Sequence, residues 1–124
     1  MSADRLPLAL VADDDPDLLR LATYQLRVGG FRTTTAADGL EALKKIVSER
    51  PDVVVLDIGM PGLDGQAVLR IAGLSEDPPP VLFLTAYSDE KHLVEAFDHG
   101  AIDYMTKPVR AAELVARCKA AILR

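Results

Sequence analysis

Cysteine is nearly missing from this chain. Cys118 is the only one in 124 residues, which excludes an intrachain disulfide and a cysteine-based zinc site. That usage fits a reducing, intracellular compartment, and a cytoplasmic location is expected. Long apolar runs are also missing. The N-terminal piece from Leu6 to Ala12 is too short for a signal-peptide core and runs straight into acids. No stretch approaches the length of a membrane span. Positive charge is in deficit, with 19 acids against 14 lysines and arginines for a net charge of −5. A large nucleic-acid footprint is therefore not expected. No repeat, low-complexity tract or linker appears. A GxxxxGK[ST] motif is absent, so a P-loop nucleotide site has no support. The two histidines, His92 and His99, lie seven residues apart, whereas helical metal pairs usually sit four apart.

What is present reads as one domain with an ordinary core. Apolar residues make up 49% and charged residues 27% of the chain, as in a typical globular protein. The expected unit is a single domain over residues 1–124. Five short apolar runs stand out: "PLALVA" (7–12), "FRTTT" (31–35), "DVVVLD" (52–57), "PVLFLT" (80–85) and "AIDYMT" (101–106). The first, third and fourth are continuous and rich in Val and Leu, as strands buried on both faces should be. The second is more polar and is placed at a sheet edge.

Helical patterns fill the gaps. The first puts Leu18, Leu19, Ala22 and Leu26 on one face, with Pro16 in its first turn and Gly29 and Gly30 at its stop. The second has Asp38 as its cap and an apolar stripe of Leu43, Ile46 and Val47. A shorter helix follows a Gly-rich turn in "DGQAVLRIAGL". The fourth starts with Ser88 as cap and stops at Gly100. The last runs from Val109 to Arg124, with Leu114, Val115, Cys118 and Ile122 inward. The pattern is (βα)₅. It predicts an α/β, doubly wound, flavodoxin-like fold, a five-stranded parallel sheet of order 2-1-3-4-5 with helices on both faces.

In such sheets ligands sit at the carboxyl ends of the strands, near the switch point. Read in that order, the strand ends carry Asp13 and Asp14, then Asp57, then Thr85, then Lys107. Like charges about 4 Å apart repel by roughly 4 kcal/mol at an effective dielectric near 20. Three carboxylates on one rim therefore call for something positive. They form a hard oxygen site suited to magnesium. A carboxylate can also act as a nucleophile and form an aspartyl phosphate. A transferring phosphoryl group needs a metal, a lysine and a hydroxyl donor around its oxygens, and this rim supplies the protein groups for all three. Asp15 and Asp17 read instead as helix-capping and first-turn acids. "DDDPDLLRLATY" lacks the alternation and glycine of a calcium loop.

At this point the chain resembles the receiver domains of bacterial two-component response regulators. "VADDDPDLL" is similar to their acidic pocket, "VVVLDIGMPGLDG" to their phosphoacceptor segment, "LFLTAY" to their switch threonine, and "GAIDYMTKPV" to their aromatic and Lys-Pro segment. The resemblance covers essentially the whole chain. It implies that Asp57 takes a phosphoryl group from a sensor histidine kinase or a phosphotransfer protein. It implies Mg²⁺, for which Mn²⁺ can substitute, held by Asp14 and Asp57, by Asp13 largely through water, and by the Gly59 carbonyl. Lys107 is implied to pair with Asp57 and then with the phosphoryl oxygen. Thr85 would hydrogen-bond the phosphoryl group, and Tyr104 would turn into the space this opens, altering the surface of the fourth helix, fifth strand and fifth helix. Ala86 would keep the site uncrowded, and a cis bond before Pro108 would aim Lys107 inward.

Some positions depart from the family pattern. Gly59 and Tyr87 stand where a larger and a smaller side chain are common, respectively. Tyr87 is expected to shield the acyl phosphate while Gly59 leaves its own side open. Val109 replaces a common Phe, an expected change of packing only. Tyr104 could also be a mere core aromatic, and Cys118 reads as a small core residue. Charges on the last helix (Arg110, Arg117, Lys119, Arg124) and on the fourth (Glu90, Glu95, Asp98) would complement each other across a homodimer. Two other classes compete. A haloacid dehalogenase-type phosphotransferase wants a second Asp two residues after the nucleophile, where Gly59 stands. A pseudo-receiver would have lost Asp57, Asp14 or Lys107. No output domain follows the last helix, so the expectation is a stand-alone receiver acting on a partner or one part of a longer regulator. No direct nucleic-acid or membrane contact is expected.

Overall fold

The computed structural model describes residues 5–123. Arg124, included above among the charges of the last helix, lies outside the described residues. Five strands and five helices alternate: β1 (Leu8–Ala12), α1 (Pro16–Val28), β2 (Arg32–Ala36), α2 (Gly39–Glu49), β3 (Val53–Leu56), α3 (Gly65–Ala72), β4 (Val81–Thr85), α4 (Glu90–Asp98), β5 (Asp103–Thr106) and α5 (Ala111–Ile122). All neighbouring strands pair in parallel, in the order β2-β1-β3-β4-β5. The fold class and strand order read from the sequence are those observed. Among the described residues, no helix is long and apolar enough to cross a membrane.

Strands β1, β3 and β4 are buried along their whole length, because alternate residues feed two separate cores. Leu10, Ala12, Val54, Leu56 and Phe83 point to the side covered by α2, α3 and Ala96 of α4. Ala9, Val11, Val53, Val55, Leu82 and Leu84 point to the side of α1 and α5, where they meet Leu26, Leu114 and Cys118. This two-sided burial explains why these runs are continuous rather than alternating. Edge strand β2 carries three half-buried threonines.

Local signals at the helix starts mostly hold. Asp15 caps α1 by accepting from Asp17 N, with Pro16 in the first turn. Asp38 caps α2 through Glu41 N. Ser88 does not cap α4: Asp89 does, accepting from His92 N at 3.2 Å. Either residue type makes a good cap, but the helical conformation begins at Glu90, and only Asp89 then sits three positions before His92. Val47 is 76% exposed and does not belong to the α2 stripe. That helix buries Ala42 and Ile46, and Val47 lies about 100° further round the helix. Helix α5 begins at Ala111, leaving Val109 half-buried against the α1/α5 core. Arg117 is engaged within its own chain, by Asp103 at 2.9 Å and Glu113 at 3.4 Å.

Candidate functional site

The sheet ladder itself builds the site, because hydrogen bonding continues one residue past the strand ends. Asp13 N donates to Ala36 O at 3.0 Å, Asp57 N to Ala12 O at 3.0 Å, and Lys107 N to Thr85 O at 2.8 Å. The backbones of both key aspartates and the lysine are thereby fixed at one rim. Carboxylate oxygens of Asp13, Asp14 and Asp57 all lie within 4.8 Å of one another. Asp13 and Asp57 are buried, while Asp14 is exposed. Lys107 Nζ reaches between the buried pair, 2.9 Å from Asp13 Oδ2 and 3.3 Å from Asp57 Oδ2. The Lys107–Pro108 peptide bond is cis.

This cluster is short of positive charge. At these spacings each carboxylate pair repels by about 3 kcal/mol at an effective dielectric near 20. Burial pushes the Asp13 carboxyl above its usual range, and the charge of Asp57 adds to the push against the opposing ion pair with Lys107 and the bond from Asp15 N. Burial also pulls Lys107 down, but its close ion pair with Asp13 and the charge of Asp57 outweigh this and hold the ammonium above its ordinary value. Asp13 Oδ1 accepts from Asp15 N at 2.9 Å. Asp13 Oδ2 is buried without an aligned hydrogen bond, its contact with Lys107 being an ion pair only. A buried carboxylate oxygen without an aligned donor, within reach of two other carboxylates, fits a hard divalent cation such as magnesium.

Thr85 ends β4 and is wholly buried. Its Oγ1 accepts from Tyr87 N at 3.3 Å, and accepting that bond does not use the hydroxyl's own proton. Gly59 N lies 3.4 Å from Asp57 Oδ1. The flank beside Gly59, expected to be open, is covered: a Cβ there would meet the Tyr87 ring at 3.3 Å. Tyr104 is half-buried, tilted against Phe83 with ring centroids 6.1 Å apart, and its hydroxyl donates to Tyr87 O at 2.6 Å. The structure thus gathers Asp13, Asp14, Asp57, Gly59, Thr85 and Lys107 at one rim. Tyr104 stands beside the rim, joined to it through Tyr87.

Other contributors had weaker signals. Gly65 opens α3 so close to β3 that an added Cβ would lie 2.2 Å from Asp57 O. Gln66 is buried and reaches α4, with Nε2 3.4 Å from His92 O and Oε1 3.3 Å from His99 Nδ1. Asp89 and His92 pair at the start of α4. Only the Asp89-x-x-His92 spacing at a helix start could have pointed to that pair.

The profile of the response regulator receiver domain matches residues 9–119. The chain belongs to the response regulator receiver family. It is 45% identical over 118 residues to the transcriptional regulatory protein PrrA of Mycobacterium tuberculosis, covering 95% of this chain and 51% of the relative. It is 43% identical over 115 residues to the alkaline phosphatase synthesis transcriptional regulatory protein PhoP of Bacillus subtilis, covering 93% and 48%. This receiver therefore spans about half the length of the curated relatives it matches. Among solved structures, the receiver domain of Francisella response regulator 1452 aligns with a TM-score of 0.89 at 36% identity, covering 95% of this chain and 98% of that one. A receiver domain protein from Clostridium thermocellum aligns with a TM-score of 0.90 at 31% identity, covering 96% of each.

Proposed function

We propose that this receiver is a phosphoacceptor switch in which Asp57 is the nucleophile. The observation that carries this reading is Lys107 held between two buried aspartates at the switch point of the sheet, with a third carboxylate within 4.8 Å. An Asp57 oxygen attacks phosphorus, the bond to the donor's leaving group breaks, and an acyl phosphate remains on the side chain. Lys107 exchanges its contact with Asp57 for one with a phosphoryl oxygen. Thr85 donates its free hydroxyl proton to another oxygen. Mg²⁺, with Mn²⁺ as a substitute, would be held by Asp14, Asp57 and the Gly59 carbonyl, with Asp13 acting largely through water. When bound, the ion offsets the negative charge gathered by three carboxylates and a phosphoryl group.

The donor in this reading is a sensor histidine kinase or a phosphotransfer protein, in the cytoplasm. The output is a binding partner, or a further domain of a longer regulator like the relatives above. Tyr104 links the event to the outer surface. Its hydroxyl holds the carbonyl of Tyr87, two residues beyond Thr85, so a shift of Thr85 toward a phosphoryl group disturbs that contact. The surface of α4, β5 and α5 then changes, and a homodimer through it is one outcome.

Incubation with acetyl phosphate and Mg²⁺, read by intact mass, tests the chemistry. Wild type should gain one phosphoryl group, while Asp57→Asn should gain none. Uptake by Asp57→Asn equal to that of wild type would overturn the assignment. Size-exclusion chromatography of the same samples reads out the dimer.

A further inference from the structure

Gly39 opens α2 and is buried, although it has no side chain to pack. Its φ lies outside the left-handed region that favours glycine, so its backbone is one that any residue adopts. Glycine is also a poor helix former. What sets the position apart is a close approach. A Cβ added to Gly39 would lie 2.1 Å from Leu63 O, 2.7 Å from Leu63 Cβ and 2.9 Å from Leu63 C. The carbonyl is backbone and cannot rotate away. Leu63 belongs to the loop that leads from Asp57 through Gly59 to α3. That loop is pinned where Gly65 N donates to Ile58 O at 2.9 Å, and the Leu63 side chain packs against the α2/α3 core. The start of α2 is pinned as well. Asp38 caps it by accepting from Glu41 N at 2.8 Å, and Ala36, just before the turn, accepts from Asp13 N at 3.0 Å. The bare Cα of Gly39 is thus where two segments that build the rim touch. A larger residue must displace one of them: the loop that carries Asp57 and Gly59, or the turn whose first residue holds the Asp13 backbone.

We propose that Gly39 is a positioning residue for the cation site: by letting the first turn of α2 close on the Leu63 carbonyl, it holds the Asp57–Gly65 loop in register with Asp13 and Asp14. This rests on the reading of the rim as a magnesium-dependent phosphoacceptor site and adds a residue that lies outside the rim. Gly39 touches neither the carboxylates nor a phosphoryl group; it acts through the loop. The site is sensitive to such a displacement for two reasons. Asp57 and the Gly59 carbonyl both ride on this loop, whereas Asp13 and Asp14 ride on β1, so a shift of the loop changes the spacing between the two halves of the donor set. Magnesium demands near-ideal octahedral geometry and tolerates little change in that spacing. Altering the groups behind a metal's ligands commonly lowers affinity by about ten- to a hundredfold.

The test titrates the whole chain with Mg²⁺ alone and follows backbone amide shifts by NMR, well below the Tm. Gly39→Ala should raise the Mg²⁺ midpoint at least about tenfold. Initial rates of phosphorylation by acetyl phosphate, read by intact mass, should need correspondingly more Mg²⁺ to reach half their maximum. Ile46→Val serves as the control. It thins the core under the same helix and lowers the Tm without touching the loop, so its Mg²⁺ midpoint should stay at the wild-type value. Leu63→Ala approaches the same contact from the loop side, by removing the side chain that seats the loop on the core, and should also raise the midpoint. It keeps the proposal open to refutation if Gly39→Ala does not fold. A lower Tm with a wild-type midpoint in Gly39→Ala would show that the glycine serves packing alone and would overturn the positioning role. So would a midpoint raised equally in Ile46→Val, or a wild-type midpoint in Leu63→Ala. Wild type that binds Mg²⁺ but takes up no phosphoryl group would instead overturn the acceptor reading, while leaving the positioning of the cation site in place.

Discussion

Asp13 shows most clearly what the site costs a single residue. Its carboxylate is buried beside Asp57, and among the described residues Lys107 is the one cation that pairs with the two. Burying like charges is unfavourable unless something positive is added. In metal-free protein Asp13 is therefore a net liability. Asn keeps the side-chain oxygen that accepts from Asp15 N and leaves Lys107 to Asp57. Asp13→Asn should raise stability in chelator by about 1 kcal/mol, or roughly 3–5 °C of Tm in a domain of this size. Mg²⁺ should then raise the Tm of wild type more than that of the variant, because binding to the folded state adds stability by mass action. Thermal melts of both proteins with and without Mg²⁺ decide this. A lower Tm for Asp13→Asn in chelator would show that its ion pair with Lys107 outweighs the repulsion.

Among the elements, α3 and α4 differ in how they are held. Helix α3 starts directly against the segment that carries Asp57. Gly65 N donates to Ile58 O at 2.9 Å, and a Cβ at Gly65 would sit 2.2 Å from Asp57 O and 2.9 Å from Ile58 Cα. Those are backbone atoms and cannot rotate away. Gly65→Ala should therefore push the Asp57–Ile58 segment off its position, destabilising the protein by about 1–3 kcal/mol. It should also slow phosphorylation by acetyl phosphate at least about tenfold, since small misplacements of a reacting group are costly. Melting curves and initial rates by intact mass, taken well below the Tm, measure both. A wild-type rate in the variant would mean that α3 does not set the position of Asp57. Helix α4, by contrast, buries only Ala96, and the buried Gln66 amide tethers it through the His92 carbonyl and the His99 ring. A helix held by little apolar burial can shift at low cost, which suits the element next to Thr85 and Tyr87.

At the scale of the whole molecule, continuity of apolar runs was enough to read the sheet. Strands buried on two faces must be apolar throughout, and acids directly after such strands stand out against them. Asp13, Asp14, Asp57, Thr85 and Lys107 were legible for that reason. Gly65, Gln66 and the Asp89–His92 pair were not, because their roles depend on contacts between segments far apart in sequence or on stacking that no periodicity encodes. Cys118 was legible as a core residue, and its depth makes it a reporter on the entire fold. It is wholly buried between α1 and the sheet, and burial pushes its thiol from 9.0 to about 12. A thiol whose folded value lies above its unfolded one favours the fold while it stays protonated. That contribution is fully present below about pH 9 and fades as the pH climbs toward 12. At pH 8 the buried thiol can be neither reached nor ionised, so a thiol reagent must wait for global opening. Native Cys118 should react at least about a thousandfold more slowly than the same residue in urea-unfolded chain. Mg²⁺, by binding the folded state, should slow the reaction further. Labelling within tenfold of the unfolded rate would mean that α5 opens locally, exposing Cys118 while the sheet and the aspartate rim remain folded.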